Sequence, residues 1–115
     1  MEKIIFGFKN RTAIVTGGAQ GFGLDIAKRF LKSGANVIIW DIDPKALEKA
    51  VKTLNNPNLF SEVVDVSNFE EVSKNVSNIT KNLNIDILIN NAGITGPTAT
   101  LWEYDIKMWK KIIDI

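Results

Sequence analysis

The sequence predicts an α/β fold: a twisted parallel sheet with helices on both faces. Three observations carry that expectation. Four short apolar runs, rich in β-branched residues, stand at 11–16, 36–40, 59–66 and 85–90. Between them lie stretches whose apolar residues fall on one face of a helix. A glycine-rich turn, within IVTGGAQGFG at 14–23, separates the first run from the first helical pattern. Helical crossovers between strands imply parallel pairing with right-handed connections.

The elements follow in order. RTAIVT (11–16) is the first strand. Leu24, Ile26, Ala27, Phe30 and Leu31 form the apolar face of a helix ending near Ser33-Gly34, with Gly34 placed as its C-terminal cap. NVIIW (36–40) reads as a buried strand. Asp43-Pro44 supplies a capping carboxylate and then a proline at the first helical position. Leu47, Ala50, Val51 and Leu54 give that helix its apolar stripe, and 55–58 form a loop. LFSEVVDV (59–66) is the third strand, and Ser67-Asn68-Phe69-Glu70 fits a capping box. Phe69, Val72, Val76, Ile79 and Leu83 then share one helix face, and IDILIN (85–90) is the fourth strand. A loop at 93–100 leads to a last helix that starts near Tyr104 or Asp105 and runs to Ile115.

Composition narrows the chemistry. The 115 residues carry 14 basic and 13 acidic side chains, interspersed, which lacks the basic stripe of a nucleic-acid surface. There is no cysteine and no histidine, so disulfides, thiolate nucleophiles, Ser-His-Asp catalysis and the usual zinc or iron sites are excluded. No metal site is expected. The apolar stretch Ile4–Phe8, interrupted by Gly7, is too short for a signal-peptide core, and no run reaches the ~18 apolar residues of a membrane span. A soluble cytoplasmic protein, with no nucleic-acid or membrane partner, is the expectation.

Gly17, Gly18, Gly21 and Gly23 fall within seven residues, and that density costs chain entropy. A glycine turn between a first strand and its helix is the phosphate site of a Rossmann dinucleotide fold. One glycine makes the tight turn, the next admits the pyrophosphate close to the backbone, and the last lets helix and strand pack. The helix N-terminus adds free N–H groups and partial positive charge. A plain tight turn is the bland alternative. Asp41 weighs against it, because it follows the second strand directly, 18 residues beyond Gly23. The dinucleotide pattern asks for an acid at about that place, to accept from the adenosine ribose hydroxyls. Asp43 is already accounted for as a cap, whereas Asp41 has no local task in the sequence.

Thr16 to Gly23, TGGAQGFG, resembles the TGxxxGxG signature of the short-chain dehydrogenases/reductases. Asn90-Asn91-Ala92-Gly93 resembles that family's NNAG motif, and Asp65-Val66 the acid it places near the adenine. Each motif ends a strand, where open α/β sheets bind ligands. The resemblance covers nearly the whole chain. It implies that Gly17, Gln20, Gly21, Phe22 and Gly23 cradle the pyrophosphate, Asp41 holds the adenosine ribose, and Asp65 and Val66 flank the adenine. It also implies that Asn91, Ala92 and Gly93 line the floor on the nicotinamide side, with Asn90 more structural. NAD is the implied cofactor rather than NADP, since Asp41 would meet a 2′-phosphate with like charge. Gln20 and Ile42 also stand where NADP-dependent members usually carry Arg or Lys. A small alcohol or ketone is the implied substrate, and a homo-oligomer the implied full-length state.

The family's catalytic Ser and Tyr-x-x-x-Lys are not matched, so no catalytic residue is assigned. The single tyrosine, Tyr104, is followed four residues on by Met108, with Lys107 one place early. Trp102, Tyr104 and Trp109 read as packing or pocket-rim residues. The chain therefore reads as one domain, 1–115, the cofactor-binding half of an NAD-dependent dehydrogenase interrupted before its catalytic segment. A stand-alone dinucleotide-binding module is the alternative. Valine at Gly21 or Gly23 is expected to abolish cofactor binding before it harms the fold.

Overall fold

The structure, a computed structural model, describes residues 7–92. Gly93, the loop at 93–100, Tyr104 and the expected last helix lie outside the described residues. Four strands alternate with three helices: β1 (Thr12–Thr16), α1 (Gly21–Lys32), β2 (Asn36–Asp41), α2 (Pro44–Leu54), β3 (Leu59–Val63), α3 (Phe69–Thr80) and β4 (Ile87–Asn90). The strands pair in parallel in the order β3-β2-β1-β4, an incomplete Rossmann-type sheet. The predicted fold class is the observed one.

β1 is the hub. It pairs on both sides and is buried along its whole length. Alternation then divides its side chains between two cores. Val15, with Val37, Ile39 and Leu59, packs on Ala27 and Leu31 of α1 and on Leu47 and Ala50 of α2. Ile14, with Ile38, Trp40 and Val64, packs on Val72, Val76 and Ile79 of α3. Each large side chain so buried is worth roughly 1.5–3 kcal/mol. The second core is the thinner, because α3 buries no residue fully. Phe60 and Leu88 flank it, in register with Ile38 and Ile14, and stay 48% and 62% exposed.

The helix ends show why these segments stop where they do. Gly34 follows α1 at φ +91°, and its N–H donates to the Leu31 carbonyl. The Asp43 carboxylate accepts from the Lys45 and Ala46 amides at the start of α2. At the base of the sheet, Asp86 accepts from the Thr12 amide while its own amide donates to the Thr12 carbonyl. That reciprocal pair fixes the register in which β4 joins β1.

Four expectations need correction. β3 ends at Val63, because Val64 turns its side chain into the second core and Asp65 opens a turn. β4 begins at Ile87 rather than Ile85, which packs with the α3 core. The cap of α3 is shifted by one residue. Asn68, not Ser67, accepts from the Glu71 amide, and the Glu71 carboxylate reaches back to the Asp65 amide. Asparagine is as good a cap as serine, and Ser67 is held by Asp65 instead. Finally, Phe69 stands at the first position of α3 and is 81% exposed, so it leaves the apolar face to Val72, Val76 and Ile79.

Candidate dinucleotide-binding site

The register sets β1, β2 and β4 level at their C-terminal ends. Thr16 pairs with Trp40 on one side and with Asn90 on the other. The segments that leave these ends therefore meet: the glycine turn from β1, Asp41 from β2, and Asn91-Ala92 from β4.

The glycines have separate reasons. Gly17 takes φ +63°, and a Cβ there would come within 3.0 Å of the Ala92 backbone. Gly18 lies against β2, where a Cβ would meet Ile39 Cγ2 at 2.6 Å. Gly23 packs α1 onto β1 so tightly that a Cβ would overlap the Gly17 carbonyl oxygen. Gly21 is different. It takes φ +57°, yet a Cβ there would find no atom within 4 Å. Three glycines are thus required by neighbouring protein atoms, and the fourth only by its backbone angle, beside open space.

The first turn of α1 faces that space. Its N-cap residue, Gln20, is extended (φ −147°, ψ 160°) and its side chain makes no capping bond, whereas Asp43 and Asn68 cap α2 and α3. Free N–H groups at a helix start are an anion site in waiting. The residues present are compatible with a pyrophosphate here: Gly21 borders open space, and among the described residues the first N–H groups of α1 have no side-chain cap. Phe22, 84% exposed, stands in the same turn.

Thr16 ties the two halves of the site together, a role the sequence reading missed. Its hydroxyl oxygen accepts from the Asn91 and Ala92 amides at 3.0 and 2.9 Å. Its one proton is shared between the Ile89 carbonyl at 3.4 Å and Asn90 Oδ1 at 3.3 Å. Asn91 Nδ2 then donates to the Gly17 carbonyl at 3.2 Å, closing the contact from β4 to the glycine turn. A threonine at the end of a buried strand reads as a β-former, so only its place ahead of the glycines pointed to this use. Thr16→Val should strand the Ala92 amide, whereas the Asn91 amide keeps the Ile89 carbonyl at 3.1 Å. We expect a loss of about 1–3 kcal/mol in stability, with weaker dinucleotide binding, in parallel thermal melts and titrations. An unchanged melting temperature would show that the hydroxyl ties nothing.

Asp41 also departs from expectation, because it does have local partners. Its Oδ2 accepts from the Ala19 amide at 3.3 Å and its Oδ1 from the Asp43 amide at 3.1 Å. A carboxylate has about four acceptor positions, so two of them remain for a ribose. Between the turn and α2 lies a cavity of about 440 Å³ whose lining includes Gln20, Lys45 and Lys49. Asp65 is exposed beyond β3, accepting from the Ser67 amide and hydroxyl, and Val66 is half-buried against the α3 core. Among the described residues, no three carboxylates gather in a way that could hold a metal ion, and no helix is long and apolar enough to cross a membrane.

Comparison with known proteins gives this arrangement a context. The family model described as short chain dehydrogenase matches residues 11–115. The chain is 42% identical over 109 residues to a 3-oxoacyl-[acyl-carrier-protein] reductase of Chlamydia trachomatis, covering 91% of this chain and 44% of that protein. A 3-ketoacyl-(acyl-carrier-protein) reductase from Brucella melitensis, solved with NADH, superposes with a TM-score of 0.79 at 29% identity, over 94% of this chain and 44% of that one. The Pseudomonas aeruginosa RhlG/NADP active-site complex superposes with a TM-score of 0.80 at 29% identity, over 98% and 44%. The chain thus spans less than half the length of the proteins it matches.

Proposed function

The chain belongs to the short-chain dehydrogenase family, and on that footing we propose that it is the NAD-binding part of an oxidoreductase interconverting an alcohol and a ketone by hydride transfer. The observation that carries this reading is the pairing of an uncapped, glycine-lined start of α1 with a carboxylate at the end of β2. Gly17, Gln20, Gly21, Phe22 and Gly23 would hold the pyrophosphate, and Asp41 the adenosine ribose. Asp65 and Val66 would flank the adenine. Asn91, Ala92 and Gly93 would line the nicotinamide side, with Thr16 holding the first two in place. The nicotinamide, when bound, supplies the hydride acceptor or donor. The chain's own part is to bind and orient it. A small-molecule substrate, a cytoplasmic location and a homo-oligomer complete the proposal for the whole protein.

The preference for NAD rests on charge. A 2′-phosphate brought to the Asp41 carboxylate would meet like charge at close range. Lys45 and Lys49 line the cavity between the glycine turn and α2, so the carboxylate, rather than a lack of cations, is what would set the preference. In titrations of the full-length protein we expect NADH to bind at least about tenfold more tightly than NADPH, a difference of about 1.4 kcal/mol. Asp41→Ala should narrow that ratio and cost NADH about 1–3 kcal/mol, the loss of hydrogen bonds to a charged partner. NADPH binding as tightly as NADH to the parent protein would overturn the assignment.

A further inference from the structure

The glycine turn crosses the end of β2 and is held there at two consecutive amides. The Gly18 amide donates to the Trp40 carbonyl at 3.2 Å, and the Ala19 amide to Asp41 Oδ2 at 3.3 Å. Ala19 is buried, at 4% exposure, so no water replaces that acceptor cheaply. The carboxylate cannot swing freely, because its other oxygen accepts from the Asp43 amide at 3.1 Å, ahead of a helix that starts on Pro44. Immediately past Ala19, Gln20 is extended and Gly21 takes a positive φ, and together they aim the first N–H groups of α1.

We propose that Asp41 is a positioning residue for the glycine turn as well as a ribose ligand, so that cofactor selection and phosphate affinity are set by one carboxylate. The ribose and phosphate parts of this inference rest on the function proposed above; the tie to Ala19 does not. A group on the ribose that displaces the carboxylate also releases Ala19, and the turn loses its fixed shape. Discrimination against a 2′-phosphate then has two sources, repulsion and loss of loop order.

The two roles differ in sign for a probe that never reaches the ribose. Removing a negative charge near an anion should tighten its binding. Releasing the turn should weaken it. The experiment compares the full-length parent protein with Asp41→Ala and Asp41→Asn, first by amide hydrogen exchange without ligand and then by titration with inorganic pyrophosphate. Exchange at Ala19 should rise at least about tenfold in Asp41→Ala, with Val15 in the sheet core unchanged as the control for folding. Asp41→Asn keeps one acceptor oxygen and should recover at least half of that change on a logarithmic scale. Pyrophosphate should bind Asp41→Ala several-fold more weakly than the parent, despite the lost negative charge. Unchanged exchange at Ala19, or equal or tighter pyrophosphate binding to Asp41→Ala, would overturn the proposal. If pyrophosphate does not bind the parent at all, the phosphate assignment fails, and the exchange at Ala19 alone decides the positioning role.

Discussion

Gly23→Val should abolish dinucleotide binding and destabilise the protein by about 2–3 kcal/mol, the cost of overpacking a close contact. Gly23 is buried in the first turn of α1. A Cβ there would overlap the Gly17 carbonyl oxygen and lie 2.7 Å from Asn91 Nδ2. Both atoms belong to the bond that joins the β4 exit to the turn, so a side chain at 23 must push α1 away from β1 and break that bond. The structure thus amends the sequence-based expectation that the fold would be spared. That expectation still holds for Gly21. A Cβ there meets no protein atom, and the cost is the strain of φ +57° in a residue with a side chain, about 1–2 kcal/mol. Thermal melts followed by circular dichroism, with NADH titrations of both variants, distinguish the cases. Parent-like melting and affinity in Gly23→Val would mean that α1 does not sit as described.

The second large effect is on turnover. The 115-residue chain by itself should form no measurable NADH from a panel of secondary alcohols. Hydride transfer needs a partner that gives or takes a proton at a suitable pKa. The chain has no histidine, no cysteine and no tyrosine with lysine at the family spacing. Tyr104→Phe serves as the control. Robust turnover by the parent chain that this substitution removes would make Tyr104 the proton donor and would end the reading of the chain as a cofactor-binding part alone.

Much of the fold was legible because its causes are local or periodic. NVIIW at 36–40 is a short apolar run rich in β-branched residues, which reads as a buried strand, and Asp43-Pro44 marks a helix start by chemistry alone. The parallel pairing followed from the helical crossovers between strands. The departures come where two neighbouring residues offer the same chemistry. Ser67 and Asn68 are both good caps, and only the turn made by Asp65 decides between them. Phe69 matches the period of α3, but at the first helical position it stays exposed and outside the α3 core.

The site was legible as a set of motifs but not as a mechanism of assembly. Sequence spacing brought out the glycines and Asp41. It could not show that Gly18 answers to Ile39, that Thr16 gathers the amides of Asn91 and Ala92, or that Asp41 accepts from Ala19. These links join residues 21 to 76 positions apart, and they depend on the register that levels the ends of β1, β2 and β4.

A structure of the full-length protein with NADH bound tests the central claim most directly. The account predicts pyrophosphate oxygens on the free N–H groups at Gly21, Phe22 and Gly23, and adenosine ribose hydroxyls donating to Asp41. A dinucleotide bound away from the glycine turn, or with its adenosine ribose out of reach of Asp41, would contradict it.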